Sequence, residues 1–450
     1  MRLKTKFFKR FRIDPKLFWV GIWIFACLTT AMAAQKQNPT QGPSPYRPFG
    51  NYDYTAVYST IDIGTFASSL ELIQFDSDQA ISSPRVVLHT TQNGRAISNV
   101  KIRRLAPQVS FFFSVTFIEY FPGIFKSFYQ IAIPDIRNPS VFIKTQIQPP
   151  PMTQYETIIG FDQTFDPKTG DYYYVAGVMD LNGPKDYFNI WIGKGGPFSQ
   201  PIWQISYSVT QSGDTPGGLR LHMDSKNDLV VHYHTFGYTI QPFSVSLYEM
   251  KFATQNFPIT SFPKVINGSV TPGISTQFDR SAKEYSTSLS SAFFLDYPKG
   301  GGIAMLHYIM NPDPTGWKNM LSLNAEFGSS MDADFSSAQP ISWLIAGVLD
   351  PSTYYKDKIE AYLFQPPWSN NPQLFPVDKL TNGETYEIAA TSNEFNPQVP
   401  IVAIKYPSPE LRYTTWDPNT YSFKPMRRLM TFPGWNRIPD AGNLEVIKIQ

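Results

Sequence analysis

The chain has 450 residues, of which 42% are hydrophobic and 16% charged, an ordinary globular composition that is long enough for a large core or several domains. Cys27 is its one cysteine, so a disulfide framework is excluded. The first 34 residues contribute +6 to a total net charge of +2, which leaves −4 for residues 35–450 and excludes a basic surface for nucleic acid.

The N-terminus has the pattern of an export signal. Residues 1–16 hold seven Lys or Arg, an uncharged apolar run of 18 residues follows at 17–34, and Ala-Met-Ala at 31–33 offers a cleavage site. This predicts a signal peptide over 1–34, or an uncleaved signal anchor, because the run is just long enough to span a bilayer. Membrane contact is expected only through 17–34, if they stay uncleaved.

A flexible Pro-rich linker is predicted over 35–50, before the folded body. Because basic residues keep the N-terminus in the cytoplasm, the body is expected to be exported: secreted, periplasmic or at the cell surface. Aromatic residues are frequent there, with 35 Phe and 25 Tyr in the chain, and 39 Pro and 28 Gly interrupt them. Many β-formers broken by many turn residues predict an all-β protein with short strands.

Residues 157–208 predict four consecutive strands joined by short turns. The hairpin FDPKTGDYYYV within them has two counterparts, MDSKNDLVV and FDRSAKEYST, and each places an aspartate where its side chain can accept hydrogen bonds from its own turn. The second strand of each such unit is predicted to begin near Tyr54, Phe111, Tyr172, Leu229, Leu289, Ile341 and Pro400. These starts are 52 to 61 residues apart.

A repeat of this length with four strands per unit resembles the β-propeller superfold, and the resemblance of pattern spans most of residues 50–450. It implies an all-β, seven-bladed β-propeller over 51–450, with six or eight blades as alternatives. The first unit lacks a predicted inner strand, and residues 443–450 form an extra strand after the seventh unit. The C-terminal strand is therefore expected to complete the first blade by pairing beside residues 53–62.

Two other architectures fit the all-β composition less well. An outer-membrane barrel requires strands that alternate apolar and polar residues, whereas VSFFFSVTFIEYF is almost continuously apolar. A pair of β-sandwiches does not account for a steady repeat.

Three of the five histidines, His222, His232 and His234, fall in one predicted hairpin. With Asp224 or Asp228 they are weak candidates for a His/carboxylate metal site, and the alternative is that they lie at a strand surface while Asp224 caps the turn. Neither a metal nor a cofactor is predicted.

Nucleophile and phosphate-loop motifs are missing from the sequence. A glycosidase carboxylate pair stays open, although nearly every candidate is also typical of a turn. The candidates by residue type are Asp162, Asp166, Asp180, Asp279, Asp332, Asp334 and Asp350.

Residues in the predicted connections form the candidate ligand-binding surface, since aromatic and cationic side chains suit a sugar or a protein partner. They are Tyr155, Tyr354, Tyr355, Trp435 and Arg437. The alternative is that the aromatic residues pack between blades.

These patterns favour an exported, non-catalytic binding module for a protein or carbohydrate partner at the cell surface or in the periplasm, with no catalytic residue. The first alternative is a carbohydrate-active enzyme, a glycosidase or lyase, with carboxylates at the propeller mouth. The second is an anchored structural component of an envelope assembly. An enzyme should bring two or three carboxylates within ~5–10 Å in a central cleft.

Overall fold

The computed structural model describes residues 52–449 apart from several short stretches, and within some strands it describes the backbone only. The stretches left out are 77–81, 105–110, 122–124, 167–168, 181, 183–186, 197–198, 211–213, 224–227, 238–243, 255–264, 271–274, 287–288, 298–303, 314–315, 326–330, 337–340, 350–356, 380–384, 391–399, 407–408, 433–435 and 440–442. The described residues belong to the unit that spans 46–450. The predicted signal segment and linker lie outside them.

The secondary structure of the described residues consists almost entirely of strands. In chain order the first fifteen are β1 Tyr54–Asp62, β2 Ser68–Phe75, β3 Val86–Thr90, β4 Ala96–Arg104, β5 Phe113–Phe121, β6 Phe125–Ile133, β7 Ile143–Ile147, β8 Glu156–Phe165, β9 Tyr172–Asp180, β10 Tyr187–Gly195, β11 Ile202–Thr210, β12 Asp214–Met223, β13 Asp228–Gly237, β14 Ser244–Ala253 and β15 Val265–Val270. The others are β16 Ser275–Ser286, β17 Leu289–Tyr297, β18 Ala304–Asp313, β19 Gly316–Ala325, β20 Met331–Ser336, β21 Ile341–Leu349, β22 Asp357–Phe364, β23 Gln373–Lys379, β24 Thr385–Ala390, β25 Pro400–Tyr406, β26 Glu410–Asp417, β27 Ser422–Phe423, β28 Arg427–Thr431, β29 Arg437–Pro439 and β30 Glu445–Lys448. In this part of the chain no helix has the length and apolar character that a bilayer crossing requires.

These strands form seven antiparallel sheets, counted over the described residues, and neighbouring strands in a sheet are mostly neighbours in sequence. Sheet 1 contains β1, β2 and β3 together with β29 and β30. Sheets 2 to 6 contain β4–β7, β8–β11, β12–β15, β16–β19 and β20–β23. Sheet 7 contains β24–β27 with β28 paired to β26. The fold is therefore all-β and propeller-like, as the repeat predicted at this coarse level.

The second strands of the seven sheets begin within two residues of the predicted positions. Five starts coincide, and the other two are Phe113 in place of Phe111 and Asp228 in place of Leu229. The repeated hairpin joins β8 to β9 through a turn in which the Asp166 N–H donates to the Asp171 carbonyl at 2.9 Å. Gly170 in this turn has φ +77°, a conformation that glycine adopts at little cost.

The two ends of the described chain pair with each other. Strand β30 lies antiparallel to β1, with Tyr54 opposite Lys448 and Val57 opposite Glu445. The sequence-based prediction that residues 443–450 pair beside 53–62 agrees with this register. The shorter β29, which was not predicted, continues along the same edge of β1 and places Arg437 opposite Asp62.

The first strands of successive sheets contact one another. The contacts run from β4 to β8, then to β12, β16, β20 and β24, and from β24 through β30 back to β4. Strand β30 thus occupies in sheet 1 the position that the first strand occupies in the other sheets. These inner strands bring residues from distant parts of the sequence together.

Apolar side chains fill the spaces between consecutive sheets. One cluster joins sheets 1 and 2 through residues such as Val57 and Val115, and another joins sheets 1 and 7 through Phe75 and Tyr413. Full burial of each such side chain stabilises the fold by about 1.5–3 kcal/mol. Because each sheet packs against the next, polar groups that face an inter-sheet seam must find partners on the neighbouring sheet.

Candidate functional site

A polar cluster lies where the inner strands of sheets 2, 3 and 4 meet. Strand β4 contributes Asn99 and Lys101, β8 contributes Asp162, and β12 contributes Arg220. Lys101 and Asp162 are 61 residues apart in sequence, yet the Lys101 Nζ donates a hydrogen bond to the Asp162 Oδ2. We call these four residues the inner-strand cluster.

Asp162 is fully enclosed by donors. Its side chain is 0% exposed, and the Leu221 backbone N–H on β12 donates to Oδ2 at 2.7 Å. The Gln163 N–H donates to Oδ1, also at 2.7 Å. Asp162 thus accepts one hydrogen bond from β4, one from β12 and one within its own strand, so it links three strands.

Burial lowers the pKa of Lys101 to about 7 from its ordinary value of 10.5. Loss of hydration is the main cause, since the side chain is only 9% exposed; the charge of Asp162 raises the pKa, and those of Arg220 and Arg103 lower it further. An amine with this pKa takes up and releases a proton near neutral pH. That is the property a general base or acid requires.

Partly exposed polar groups surround the buried pair. The Arg220 Nη1 donates to the Asn99 Oδ1 at 2.8 Å, and the Asn99 Nδ2 donates to the Phe161 carbonyl. Arg103, two residues beyond Lys101 on β4, is also partly exposed. With Arg103 beside it, the inner-strand cluster joins one carboxylate to an amine, an amide and two guanidinium groups, a set that favours a negatively charged ligand.

A close approach of two strands positions Asp162 next to β12. A Cβ atom added at Gly160 on β8 would lie 2.7 Å from the Leu219 Cβ on β12, closer than real side chains come. Gly160 therefore allows the backbones of β8 and β12 to approach until the Leu221 N–H reaches the carboxylate.

The sequence-predicted ligand-binding residues are not gathered in this cluster. Tyr155 precedes β8 and is 50% exposed. Arg437 lies on β29, where its Nη1 is 3.5 Å from the Glu71 Oε1, and it lines a cavity between sheets 1 and 7. Tyr354, Tyr355 and Trp435 lie outside the described residues.

The histidine hairpin is formed by β12 and β13, as predicted. His232 is buried opposite Arg220, and its Nε2 is 2.9 Å from the Glu249 Oε2. The side chains of His222 and His234 lie outside the description. Within the part of the chain that is described, no three His, Cys, Asp or Glu side chains are grouped as metal ligands would be.

Among the seven candidate carboxylates, Asp162 belongs to the inner-strand cluster. Asp166 is buried at the β8–β9 turn, and Asp180 ends β9, where its Oδ1 accepts the Asn182 N–H at 2.9 Å. Asp350 lies outside the described residues, and for the others the backbone alone is described: Asp279, Asp332 and Asp334.

Sequence reasoning missed Asn99, Lys101, Arg103 and Arg220. A signal for the first three was present, because Asn99-Val-Lys-Ile-Arg103 alternates polar and apolar residues within a mildly acidic body. Period-two spacing places Lys101 and Arg103 on one face of a strand. Arg220 gave no comparable signal, since its position depends on which sheet follows which.

No protein-family model matches the chain, and no curated protein does. Solved structures with similar folds include a Synechocystis apocarotenoid oxygenase, 9% identical with a TM-score of 0.49 over 92% of this chain and 97% of that one. An α-L-arabinofuranosidase from Fusarium graminearum is 10% identical with a TM-score of 0.43 over 68% of this chain and 88% of that one. Prolyl oligopeptidase B from Galerina marginata is 10% identical with a TM-score of 0.43 over 93% of this chain, which spans only 57% of that longer protein.

These three neighbours are enzymes, and none of the comparisons supports a non-catalytic recognition module. The sequence-based prediction of such a module is therefore wrong as the main interpretation, and its enzymatic alternative is the better one. At these identities the likeness concerns the fold and carries no substrate.

Proposed function

We propose that the protein is a carbohydrate-active lyase that cleaves an acidic polysaccharide at the inner-strand cluster. The observation that carries the proposal is the contact between Lys101 and Asp162, in which burial brings the pKa of the lysine to about 7. A base with this pKa is half deprotonated at neutral pH, whereas an ordinary lysine is almost entirely protonated.

Lys101 is the proposed catalytic base and acid. It removes the proton on the carbon beside the substrate carboxylate, the C–O bond to the leaving sugar on the next carbon breaks, and a C=C bond forms between these two carbons. The leaving oxygen takes up a proton, which the Lys101 ammonium returns. Asp162 holds the amine in place and is a positioning residue.

The basic groups around Lys101 fit a substrate that carries a carboxylate. Proton removal develops negative charge on that carboxylate, and nearby cationic and amide donors stabilise it. Arg220, Arg103 and Asn99 are partly exposed beside Lys101 and are assigned this role.

A lyase fits the cluster better than a glycosidase does. A glycosidase of the usual type needs two carboxyl groups about 5–10 Å apart. The described cluster contains one carboxylate, Asp162, and its surplus charge is positive. Elimination needs one base and cationic stabilisation, which is what these residues offer.

We also propose that the sheets form seven blades around a common axis and that β30 closes the ring. The chain of inner-strand contacts from β4 to β30 and the pairing of β30 with β1 support this arrangement. Such a ring would place the cluster beside the central channel, where propellers commonly bind ligands. Export of the body, which the N-terminal pattern favours, would give the enzyme access to extracellular polysaccharide.

The test is an activity screen of the full chain on polygalacturonate, alginate and hyaluronan, with amylose as a neutral substrate. The ultraviolet absorbance of the new C=C bond measures cleavage, and cleavage of at least one acidic polymer supports the proposal. Lys101→Met should lower kcat by about 100-fold or more, the usual contribution of a general base. Lys194→Met is the matched control, because Lys194 pairs with Asp171 at a hairpin edge and should leave activity unchanged.

Circular dichroism of both variants shows whether they fold. The proposal is wrong if none of the three acidic polymers is cleaved, or if folded Lys101→Met cleaves as fast as the unsubstituted protein.

A further inference from the structure

A second charged site lies between sheets 1 and 7, on strands other than those of the inner-strand cluster. A cavity of ≈ 450 Å³ is lined by β2, by β3 and the segment that leads into it, and by β28 and β29. Its size is within the range of small-ligand sites, roughly 300–1,000 Å³. We call it the arginine cavity, after Arg85 and Arg437.

One buried carboxylate organises the cavity. Glu71 is 1% exposed; its Oε2 lies 3.1 Å from the Arg85 Nη1 and its Oε1 lies 3.5 Å from the Arg437 Nη1. The hydroxyl groups of Tyr58 and Thr60 also donate to it, at 3.1 and 3.4 Å. Burial and the charge of Glu71 raise the pKa of Tyr58 well above its ordinary value, so this hydroxyl keeps its proton and stays a donor.

The two arginines have binding capacity beyond Glu71. Each guanidinium has five N–H donors, and the side chains of Arg85 and Arg437 are 37% and 42% exposed. Among the residues that line the cavity, two positive charges face the one negative charge of Glu71, so the lining has one positive charge in excess. Asp62, opposite Arg437 in the β1–β29 pair, lies outside the lining; it accepts the N–H and the hydroxyl of Thr65, both at 2.9 Å, and its charge also acts on Arg437.

Apolar groups complete the walls. Ile73, Val87, Leu429 and Met430 line the cavity beside the arginines, and Ser82, Ser83 and Thr431 add small polar groups. An aliphatic wall next to two fixed guanidinium groups suits a ligand with an apolar body and a negatively charged end.

We propose that the arginine cavity binds a small organic carboxylate with a short apolar body, by bidentate hydrogen bonds from Arg85 and Arg437. A monoanion matches the single excess positive charge. The proposal concerns a binding site apart from the inner-strand cluster and does not depend on the lyase reaction.

Isothermal titration of the full chain with sodium hexanoate tests the site. We expect saturable binding of hexanoate, much weaker binding of 1-hexanol, which lacks the charge, and much weaker binding of acetate, which lacks the apolar body. Arg437→Gln and Arg85→Gln should each weaken hexanoate binding by about tenfold, the effect of losing one charge-assisted hydrogen bond.

Arg428→Gln is the matched control, because Arg428 lies on β28 but its Nη1 contacts Glu410, 3.4 Å away, and it does not line the cavity. Its affinity for hexanoate should stay within about twofold of that of the unsubstituted protein. Arg437→Lys keeps the charge and provides a second variant if Arg437→Gln fails to fold.

Absence of saturable hexanoate binding overturns the proposal, as do equal affinities for hexanoate and 1-hexanol or undiminished binding by folded Arg437→Gln and Arg85→Gln. Hexyl phosphate is titrated in the same way. Tighter binding of this dianion than of hexanoate would overturn the carboxylate assignment.

Discussion

The inner-strand cluster and the arginine cavity both hold more positive than negative charge, but they differ in burial. Lys101 is almost completely enclosed beside Asp162, so loss of hydration lowers its pKa to about 7. Arg85 and Arg437 are more than a third exposed and surround a buried carboxylate. A guanidinium also stays protonated at any ordinary pH.

The difference assigns two kinds of chemistry to the two regions. An amine with a pKa near 7 can exchange a proton with a substrate that reaches it, whereas a permanently charged guanidinium can only bind an anion. It also predicts that substitutions in the two regions lower the free energy of unfolding by different amounts. Removing the partner of a buried charge costs far more than removing a half-exposed partner.

Asp162→Ala should have the largest effect on stability. It removes the acceptor of Lys101 and of the Leu221 N–H, so the hydrogen bonds that link β8 to β4 and to β12 at this point are lost. Breaking a buried ion pair costs about 3–5 kcal/mol of unfolding free energy. Urea denaturation followed by circular dichroism measures this loss.

Asp135→Ala is the control for this measurement, because Asp135 forms an exposed pair with Arg137. It should change the unfolding free energy little. Equal effects of the two substitutions would show that the inner-strand cluster does not hold the sheets together.

Gly160→Ala should have an intermediate effect. The new methyl group meets the Leu219 Cβ, so β8 and β12 must move apart at the cluster. Overpacking of this kind costs about 1–3 kcal/mol, and the same urea denaturation measures it. Gly170→Ala at the β8–β9 turn is an informative comparison, because nothing lies within 4 Å of its Cβ position and any loss there comes from the positive φ.

The Gly160 substitution also tests the proposed role of Lys101 as a base. Separation of β8 from β12 hydrates Lys101, so its pKa should rise toward the ordinary value and activity at neutral pH should fall. An unchanged pH profile in folded Gly160→Ala would contradict a role for this close approach.

Arg437→Gln should have the smallest effect on stability. Glu71 keeps the donors Arg85, Tyr58 and Thr60, and the lost partner is 42% exposed. The loss should be below ~1 kcal/mol in urea denaturation. A loss as large as that of Asp162→Ala would place Arg437 among the structural ion pairs and remove the contrast between the two regions.

Much of the fold could be predicted because each repeat carries its own local signals. The turn residues around Asp166 and Gly170 and the strand-forming run that begins at Tyr172 depend on nearby sequence only. The pairing of 443–450 with the first unit could also be predicted, since a missing strand at one end matched an extra strand at the other. Strand β29 could not, because Arg437–Pro439 has three residues and no strand pattern.

The candidate site depended on contacts between sheets, which local patterns do not encode. Asp162 was one of seven carboxylates chosen by residue type, and nothing in the sequence placed it against Lys101, 61 residues earlier. Aromatic residues were favoured as ligand-binding groups because of their position in connections. The residues that meet at the inner strands are instead charged and polar side chains within strands.

A direct titration of Lys101 tests the central claim, and it has a counterpart in stability. The folded protein binds fewer protons on this amine than the unfolded chain does between about pH 7 and 10.5. The unfolding free energy should therefore rise with pH across this window, by up to ~1.4 kcal/mol per pH unit. Lys101→Met should lack this rise.

The measurement itself is NMR of the full chain with ¹³C-labelled lysine, with the Lys101 signal assigned by its loss in Lys101→Met. The account predicts a titration midpoint of about 7 for Lys101, well below the ordinary lysine value of 10.5. A midpoint near 10.5 for Lys101 would contradict the account, because the amine would then stay protonated at neutral pH and act only as a structural partner of Asp162.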